Sequence, residues 1–399
     1  MQEGCKMQEI IIDVNEQKKK TIVISENGNL VERYEEENQK RIEGNIYIGK
    51  VTDVLPGMQA AFIDIGEEKN AFIHLKDILP KKDILNEEVE KIEQEKSISY
   101  YLKRGDILTV QVKRDATSKK GPKVSRHLSL PSRFLVVMPD VNFITISQKI
   151  EQEQERQRLL KIVKKYLPDS YGAIIRTASE GKTEKEIQKD LKEVLQEYEK
   201  IQQACQEKKQ TPRLIYRGSN LIQKILVDVA NQNMDRILVN DQEVYVQVEN
   251  FLKKINNHDT KLELRQEPLL KLYNLEEQIE KLKERKIWLK CGGFITIDKT
   301  EALTAIDVNS GKYTGNKDLE QTVFKVNKEA SIEIAKQLKL RDIGGIIIID
   351  YIDMLKKEDE EKITQILKEN LKKDRSKTQV VGFTKLNLLE MTRKHMFSE

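Results

Sequence analysis

Short runs of alternating apolar and polar residues dominate the first third of the chain. The runs EIIIDV (9–14) and KTIVIS (20–25), with the turn sequence ENGN (26–29), predict a β-hairpin. Between Gly44 and Val124, further runs such as NIYIGKVTDVL and ILTVQVKR are separated by turns and by one charged insertion. About five short strands over such a length are typical of a small barrel, and the OB fold is the obvious candidate.

Longer polar segments with helical spacing alternate with short strands in the middle of the chain. Helices are predicted over 151–167, 183–209, 221–232 and 274–286, and strands at 171–178, RILV (236–239) and VYVQV (244–248). The many charged residues of these helices indicate faces exposed to solvent.

The last block, residues 287–399, has the most regular pattern. Strands are predicted at FITID (294–298), LTAID (303–307), IIIID (346–350) and TQVVGF (378–383), and helices near 318–340 and 357–373. In the first of these helices apolar residues recur every three or four positions, so one stripe faces a sheet. The continuous apolar run IIIID predicts a strand covered on both faces. These elements together predict an α/β layer.

Two predicted strand ends in this block carry acids. Asp307 and Asp350 each stand where an apolar run stops and a loop begins, and Asn309 follows closely. Ligands of open α/β sheets gather beyond the carboxyl ends of the strands, so acids on neighbouring strands would converge. Close carboxylates repel each other unless a proton or a cation intervenes, and Mg²⁺ prefers such oxygen ligands. This arrangement would suit metal-assisted hydrolysis of a phosphodiester.

Each of these residues also has a simpler interpretation. An aspartate that ends a strand is more often a turn former or a helix cap. The string DVN also occurs at 13–15 without a following glycine, and we interpret it as part of a hairpin. Asp353 could be a second ligand or a cap of the next helix, and the sequence favours the cap.

The loop after Asp307 contains two glycines. Gly311 and Gly315 would let the backbone approach a bulky anion.

Composition restricts the class of protein more than it restricts the function. A chain of 399 residues predicts two to four domains. Because 70 basic residues face 66 acidic ones, any surface for nucleic acid must be local. Three cysteines far apart indicate a reducing compartment. No signal peptide and no apolar run of about 18 residues are present, so we expect a soluble cytoplasmic protein without a membrane span.

Several strings of this sequence together resemble the ribonuclease E/G family of bacterial endoribonucleases. The strongest matches are EALTAIDVNSG (301–311), LRDIGGIIIIDYIDM (340–354), GFTKLNLLEMTRK (382–394), NIYIGKVTDVLPGMQAAFIDIGEEKNAFIHLKDI (45–78) and IIRTASEGKT (174–183). The likeness runs in the family's order from about residue 8 to the end.

The resemblance implies a catalytic set. Asp307 and Asp350 match the family's two magnesium-binding catalytic aspartates, and Asn309 matches the asparagine that assists them. It also implies the family's reaction, the magnesium-dependent endonucleolytic cleavage of single-stranded RNA to 5′-phosphate and 3′-hydroxyl ends.

The resemblance also implies an RNA-binding surface on the predicted barrel. Phe62 and Phe72 match aromatic residues of the family's S1-type OB domain that contact RNA, and Lys120 matches a lysine near the same surface. Bases stack on such rings with little sequence discrimination. From the residues alone, a phenylalanine in an AAF or NAF strand is more often part of a core.

A third implied site recognises a 5′-monophosphate end. Arg176 and Thr177 match residues of that pocket, and a guanidinium and a hydroxyl suit a phosphate. The family's second arginine of the pocket is replaced in this chain by Lys377, which loses the forked contact, and a backbone contact falls at Ser132.

The sequence lacks two features of the family, a CPxCxG motif that shares zinc between subunits and a small dimerisation domain after it. The given sequence stops at KHMFSE with neither, and Cys291 lies far upstream and cannot replace the motif. We therefore expect a protein similar to ribonuclease G that lacks the zinc-linked assembly. The sequence does not decide whether it forms a homodimer. The partner is expected to be single-stranded RNA, either ribosomal precursors or messenger RNA.

The predicted fold is a multidomain α+β and α/β protein. An RNase H-like portion is split by an S1-type OB β-barrel and a 5′-phosphate-sensor segment, and a DNase I-like catalytic domain follows. The boundaries are 1–43 and 221–286 for the RNase H-like parts, 44–124 for the barrel, 125–220 for the sensor and 287–399 for the catalytic domain. Two alternatives stay open: an RNA-binding protein of the same family that no longer cleaves, and a metal-dependent phosphatase or DNA nuclease.

Overall fold

A computed structural model describes residues 7–36, 41–79, 97–117, 120–207, 209–229, 234–255, 260–311, 319–372 and 374–395. The chain forms two compact units. The first unit combines residues 1–38 with 233–399, and the second unit comprises residues 39–232.

The strands, in chain order, are β1 Gln8–Val14, β2 Lys20–Glu26, β3 Asn29–Glu36, β4 Ile46–Leu55, β5 Ala60–Asp64, β6 Ala71–His74, β7 Ile107–Arg114, β8 Lys123–Ser125, β9 Leu130–Pro131, β10 Leu135–Met138, β11 Ile144–Ile146, β12 Gly172–Ile175, β13 Arg213–Tyr216, β14 Arg236–Val239, β15 Lys261–Leu264, β16 Lys286–Trp288, β17 Phe294–Lys299, β18 Leu303–Asn309, β19 Gly345–Asp350, β20 Thr378–Phe383 and β21 Leu388–Arg393. The helices are α1 Glu153–Tyr166, α2 Glu184–Gln206, α3 Leu221–Val229, α4 Gln242–Lys254, α5 Leu269–Leu272, α6 Leu275–Lys281, α7 Leu319–Leu340 and α8 Lys357–Leu371.

The first unit contains a mixed sheet built from both ends of its sequence. The strand order is β15-β14-β1-β2-β3, with β1, β14 and β15 parallel and β1, β2 and β3 antiparallel. The DVN string at 13–15 lies at the β1–β2 hairpin, where Asn15 and Lys19 bond across the loop. The hairpin interpretation of this string is therefore confirmed, although Asp13 also accepts a hydrogen bond from the Leu269 backbone.

The second sheet of the first unit, which we call the C-terminal sheet, has the order β16-β17-β18-β19-β21-β20. One of its faces is covered by α7 and α8, whose residues Val326, Ala330, Ile334, Ile363 and Leu367 join the strand residues in one core. The stripe predicted on α7 is therefore confirmed. We call the other side of this sheet its open face.

Ion pairs join the loop before β20 to other parts of the first unit. Glu32 on β3 pairs with Lys339 at 2.7 Å and with Arg375 at 2.8 Å. Arg393 on β21 binds the Asp374 carboxylate at 2.7 Å, and both side chains are almost fully buried. Because buried charges need partners, these pairs hold Asp374 and Arg375 in place, and the Ser376 N–H donates a hydrogen bond to the Asp374 carboxylate.

The second unit contains a closed five-strand barrel. Its strands follow the order β4-β5-β6-β8-β7, and β7 pairs again with β4 to close it, while β13 adds to the outer side of β4. Small and branched residues, among them Ala61, Ile63, Ala71, Ile73 and Val110, fill its interior. The barrel is compatible with the predicted OB fold.

A smaller sheet, β11-β12-β10-β9, packs with α1 and α2 in the same unit. The predicted helices 151–167 and 183–209 and the predicted strand 171–178 match α1, α2 and β12 to within three residues at each end. A capping box begins α2, with the Thr183 hydroxyl on the Glu186 N–H and the Glu186 carboxylate on the Thr183 N–H.

Four details of the sequence prediction are wrong. VYVQV lies inside helix α4, because Asp241 caps it and Val244, Val248 and Leu252 form a buried stripe at helical spacing. The helix predicted over 274–286 ends at Lys281, and β16 begins at Lys286.

The other two concern β19 and the loop after it. The strand is not covered on both faces, since Ile347 and Ile349 are buried but Ile346 is 52 % exposed. Asp353 is not the cap of the next helix, since Lys356 occupies that position.

None of the helices within the described ranges is long and apolar enough to span a membrane.

The buried pair Asp374–Arg393 leads to a stability prediction. Asp374→Ala leaves the Arg393 guanidinium buried without its main carboxylate, so we expect the free energy of unfolding to fall by about 3–5 kcal/mol. Urea denaturation followed by circular dichroism measures this change. Asp298→Ala, which breaks an exposed pair with Arg285, is the matched control and should barely move the midpoint. An unchanged midpoint for Asp374→Ala would show that the buried pair is not a stabilising contact.

Candidate active site on the open face of the C-terminal sheet

The two aspartates at predicted strand ends are paired across neighbouring strands. Strands β18 and β19 run parallel, and their register aligns Leu303 with Ile346 and ends with Asp307 opposite Asp350. Neighbouring strands lie about 4.8 Å apart, and paired residues point to the same face. The two carboxylates therefore lie side by side on the open face, and both are exposed.

The alternation of each strand decides this orientation. Ile306 and Val308 flank Asp307 and are buried, and Ile349 precedes Asp350 and is buried too. Since successive side chains of a strand alternate between faces, the core beneath α7 holds the isoleucines inward and the aspartates outward.

Asn309 is two residues beyond Asp307 and therefore on the same face. Its Nδ2 donates a hydrogen bond to Asp307 Oδ2 at 2.5 Å. The side chain thus holds one carboxylate in place.

A glycine is needed directly after this strand. Gly311 has φ +60°, and a Cβ there would lie 2.6 Å from the Gly292 carbonyl oxygen. Its conformation and its close packing both exclude a side chain. Gly315, which the sequence suggested as part of an anion-binding loop, lies outside the described residues.

Asp307 and Asp350 place two negative charges side by side. Burial and the neighbouring charges of Asp307 and Asp353 raise the pKa of the Asp350 carboxyl. Asp353 is exposed and accepts a hydrogen bond from Asn387 at 3.3 Å. In the described part of the chain, neither Asp307 nor Asp350 has an ion-pair partner within 4 Å, so the local excess of negative charge is not neutralised by a salt bridge.

This donor set fits a hard divalent cation that keeps part of its water shell. Mg²⁺ is commonly held by one or two carboxylates plus substrate phosphates and waters. The described residues hold no group of three or more His, Cys, Asp or Glu arranged as a complete protein cage. Asp307 and Asp350 could hold such an ion through two carboxylates, with water or substrate oxygens at the other positions.

The predicted RNA-contacting phenylalanines lie on the outside of the barrel. Phe62 on β5 and Phe72 on β6 are register partners, with ring centroids 6.1 Å apart at 68°. Both rings are half-buried, whereas Ala61 and Ile63 on the alternate positions are fully buried. The core interpretation of these phenylalanines is therefore wrong.

Lys120 is exposed and stands two residues before Pro122, whose carbonyl bonds to the Phe72 backbone. The Lys120 carbonyl accepts from the Thr117 N–H at 2.8 Å, and the Phe72 N–H donates to the Pro122 carbonyl at 2.8 Å. A Cβ on Gly121 would lie 2.0 Å from the Asn70 carbonyl oxygen, so only glycine allows this loop to pack against β6.

Arg176, Thr177 and Ser132, which the resemblance assigns to a phosphate pocket, lie in the second unit. In the second unit, Arg176 donates from Nη1 to the Ser132 carbonyl at 2.8 Å, and Thr177 bonds Ser147 through its hydroxyl at 2.8 Å. The Ser132 N–H donates to the Leu135 carbonyl at 2.8 Å, so the turn already uses the backbone group that the resemblance assigned to phosphate. Lys377 belongs to the first unit, where it is exposed and follows the fixed residues 374–376.

Sequence reasoning missed an aromatic pair on the open face. Trp288 on β16 and Phe294 on β17 are register partners, and Lys286 lies over both rings. KIW is only three residues long and directly follows a charged segment, so its alternation does not stand out in the sequence.

The raised pKa of Asp350 predicts a pH-dependent stability difference. An acid whose folded-state pKa is raised contributes stability that is present below about pH 3.9 and is lost as the pH rises through its folded value. Asp350→Asn removes the repulsion, so without divalent cations its melting temperature should exceed that of the wild type at pH 7. Below about pH 4 the two should coincide. Thermal scans from pH 3 to 8 with a chelator test this, and a difference that grows toward acid pH would contradict carboxylate repulsion as the cause.

The chain is similar to known proteins over most of its length. The family described as "Ribonuclease E/G family" matches residues 129–396. Ribonuclease G of Escherichia coli K12 is 41 % identical over 363 residues, which cover 90 % of this chain and 74 % of that protein. Ribonuclease G of Haemophilus influenzae is 40 % identical over 94 % of this chain and 77 % of that protein. Ribonuclease E of Nostoc sp. is 34 % identical over 88 % of this chain and 51 % of that protein. The chain belongs to the ribonuclease E/G family.

Proposed function

We propose that the protein cleaves single-stranded RNA at internal phosphodiester bonds with a magnesium ion held by Asp307 and Asp350. As a member of the ribonuclease E/G family, it is an endoribonuclease. The observation that carries the proposed mechanism is the register pair of Asp307 with Asp350 on adjacent parallel strands. An RNA-binding protein without catalysis has no need for two uncompensated carboxylates side by side.

Three residues on the open face have separate proposed roles in the reaction. Asp307 and Asp350 hold the cation, and Asn309 keeps the Asp307 carboxylate in the orientation that binding requires. The bound ion would supply stabilisation of the negative charge that develops on the phosphate oxygens. Attack of water on phosphorus with departure of the 3′ oxygen leaves a 5′-phosphate and a 3′-hydroxyl.

The barrel surface is proposed to bind the RNA strand. Phe62 and Phe72 offer two tilted rings on the outside of β5 and β6, and Lys120 adds a positive charge on the segment that bonds to the Phe72 backbone. Base stacking on such rings contributes roughly 1–3 kcal/mol per base and tolerates any sequence.

Arg176 and Thr177 are proposed to recognise a 5′-monophosphate end and so to stimulate cleavage, while the role of Lys377, in the first unit, rests on the resemblance alone. The bond from Arg176 to the Ser132 carbonyl orients the guanidinium before a ligand arrives, which lowers the entropy lost on binding. Lys377 provides charge without the forked geometry of an arginine.

Further parts of the prediction stay proposals. The strand order β15-β14-β1-β2-β3 supports an RNase H-like portion, and the helix-covered C-terminal sheet supports a DNase I-like catalytic domain. Ribosomal precursors and messenger RNA as substrates, a cytoplasmic location and a homodimer rest on the resemblance and the composition alone.

Asp307→Asn tests the mechanism. We expect its cleavage rate to fall at least about 100-fold, because the cation loses a charged ligand, while RNA affinity changes little. A fluorescently labelled RNA assayed with Mg²⁺ measures the rate, and filter binding in a chelator measures the affinity. Glu361→Gln removes the same charge from the helix side of the layer and should cleave normally. Full activity of Asp307→Asn would rule out the proposed mechanism.

A variant of the phosphate pocket tests the 5′-end preference. Arg176→Ala should lower the ratio of cleavage rates for 5′-monophosphate and 5′-hydroxyl RNA about tenfold, since a charge-assisted hydrogen bond is lost. Lys161→Ala, on the exposed side of α1, is the charge-matched control. If Arg176→Ala leaves the ratio unchanged, the pocket assignment is wrong.

A further inference from the structure

Trp288 and Phe294 form an aromatic pair at the edge of the C-terminal sheet. Their ring centroids are 5.3 Å apart at an angle of 63°. Trp288 is 59 % exposed and Phe294 is half-buried, and neither belongs to the core beneath α7 and α8. Leaving an indole in water forfeits the burial that a core position would give, so packing does not explain the residue.

The register of the sheet places this pair on the same face as the aspartates. Lys286, Thr296, Asp307 and Asp350 form one row across four strands, and Trp288, Phe294 and Asn309 form the row two residues further along. Rows two residues apart share a face, so the rings stand on the open face.

The sheet spacing also gives the separation of the two sites. With strands about 4.8 Å apart and about 3.3 Å per residue, Phe294 is roughly 8 Å and Trp288 roughly 12 Å from Asp307. At about 3.4 Å per stacked nucleotide, these distances correspond to roughly two to four nucleotides.

Lys286 gives the pair a positive charge. Its Nζ lies 4.1 Å from the Trp288 ring centroid and 3.6 Å from that of Phe294. Lys286 is exposed, and its ammonium lies over both rings. An aromatic surface with an adjacent cation matches a nucleotide, whose base is flat and apolar and whose phosphate is negative.

We infer that Lys286, Trp288 and Phe294 form a stacking subsite for an unpaired base of the RNA, a few nucleotides from the phosphate that is cleaved. The inference rests on the proposed function, because it assigns the ligand from the reaction proposed for Asp307 and Asp350. The subsite positions the strand across the open face, and its residues do not take part in the chemistry.

Trp288 is the single tryptophan of the chain, so its fluorescence reports on this position alone. The wild-type protein, kept in a chelator to prevent cleavage, is titrated with a short single-stranded RNA. We expect the fluorescence to be quenched at saturation. A series of the same RNA with one abasic nucleotide moved along it should lose the quenching when the gap lies a few nucleotides from the mapped cleavage site. Quenching that every abasic RNA retains would overturn the subsite.

Kinetics provide a second measurement. Trp288→Leu keeps an apolar side chain but removes the ring, and we expect KM to rise about tenfold with kcat within about twofold of the wild type. Trp288→Phe should restore most of the affinity, because a ring remains. Ile332→Ala, at an exposed apolar position on α7, is the control and should not change KM. Equal KM values for Trp288→Leu and the wild type would overturn the inference.

The two proposals fail in different ways. If RNA is cleaved but the tryptophan signal does not respond, the subsite is wrong and the nuclease mechanism stands. If the signal responds but no cleavage occurs with Mg²⁺, the subsite stands and the mechanism is wrong.

Discussion

The alignment of two like charges on neighbouring strands is the constraint on which the site depends. Five consecutive residue pairs join β18 to β19, and the last of them is Asp307 with Asp350. The repulsion between the two carboxylates opposes this pairing, while the backbone ladder and the core on the opposite face maintain it. Because a slip of one residue would turn every side chain of a strand to the other face, the core fixes the site as firmly as it fixes the fold.

The sequence predicted the ends of these strands but could not predict their register. The alternation around Asp307 and the apolar run before Asp350 located both acids. The register of a parallel pair depends on tertiary contacts, here the packing of α7, which connects β18 to β19 in the chain. Local sequence patterns do not encode such contacts. The Asp–X–Asn spacing did place Asn309 on the right face, since the period of a strand is two.

The errors of the sequence prediction have local physical reasons. VYVQV alternates like a strand, yet Val244 and Val248 are also four residues apart, and the Asp241 cap decides for a helix. Conversely, the charged segment before Trp288 extended the predicted helix to Lys286, the first residue of the three-residue strand β16. Three residues are too few for a periodic signal, so the edge that carries the aromatic pair stayed hidden.

The discontinuous first unit has a consequence for the way the protein is made. Strand β1 pairs on one side with β2, which leaves the ribosome almost at once, and on the other with β14, where Glu9 stands opposite Arg236. At about 5–20 residues per second, roughly 10 to 45 s separate the synthesis of these two partners. During that interval the second unit can fold, while the hydrogen-bonding edge of β1 is open to any other strand. The chain must therefore avoid premature pairing at this edge while it is being synthesised. In the folded protein β14 occupies the edge.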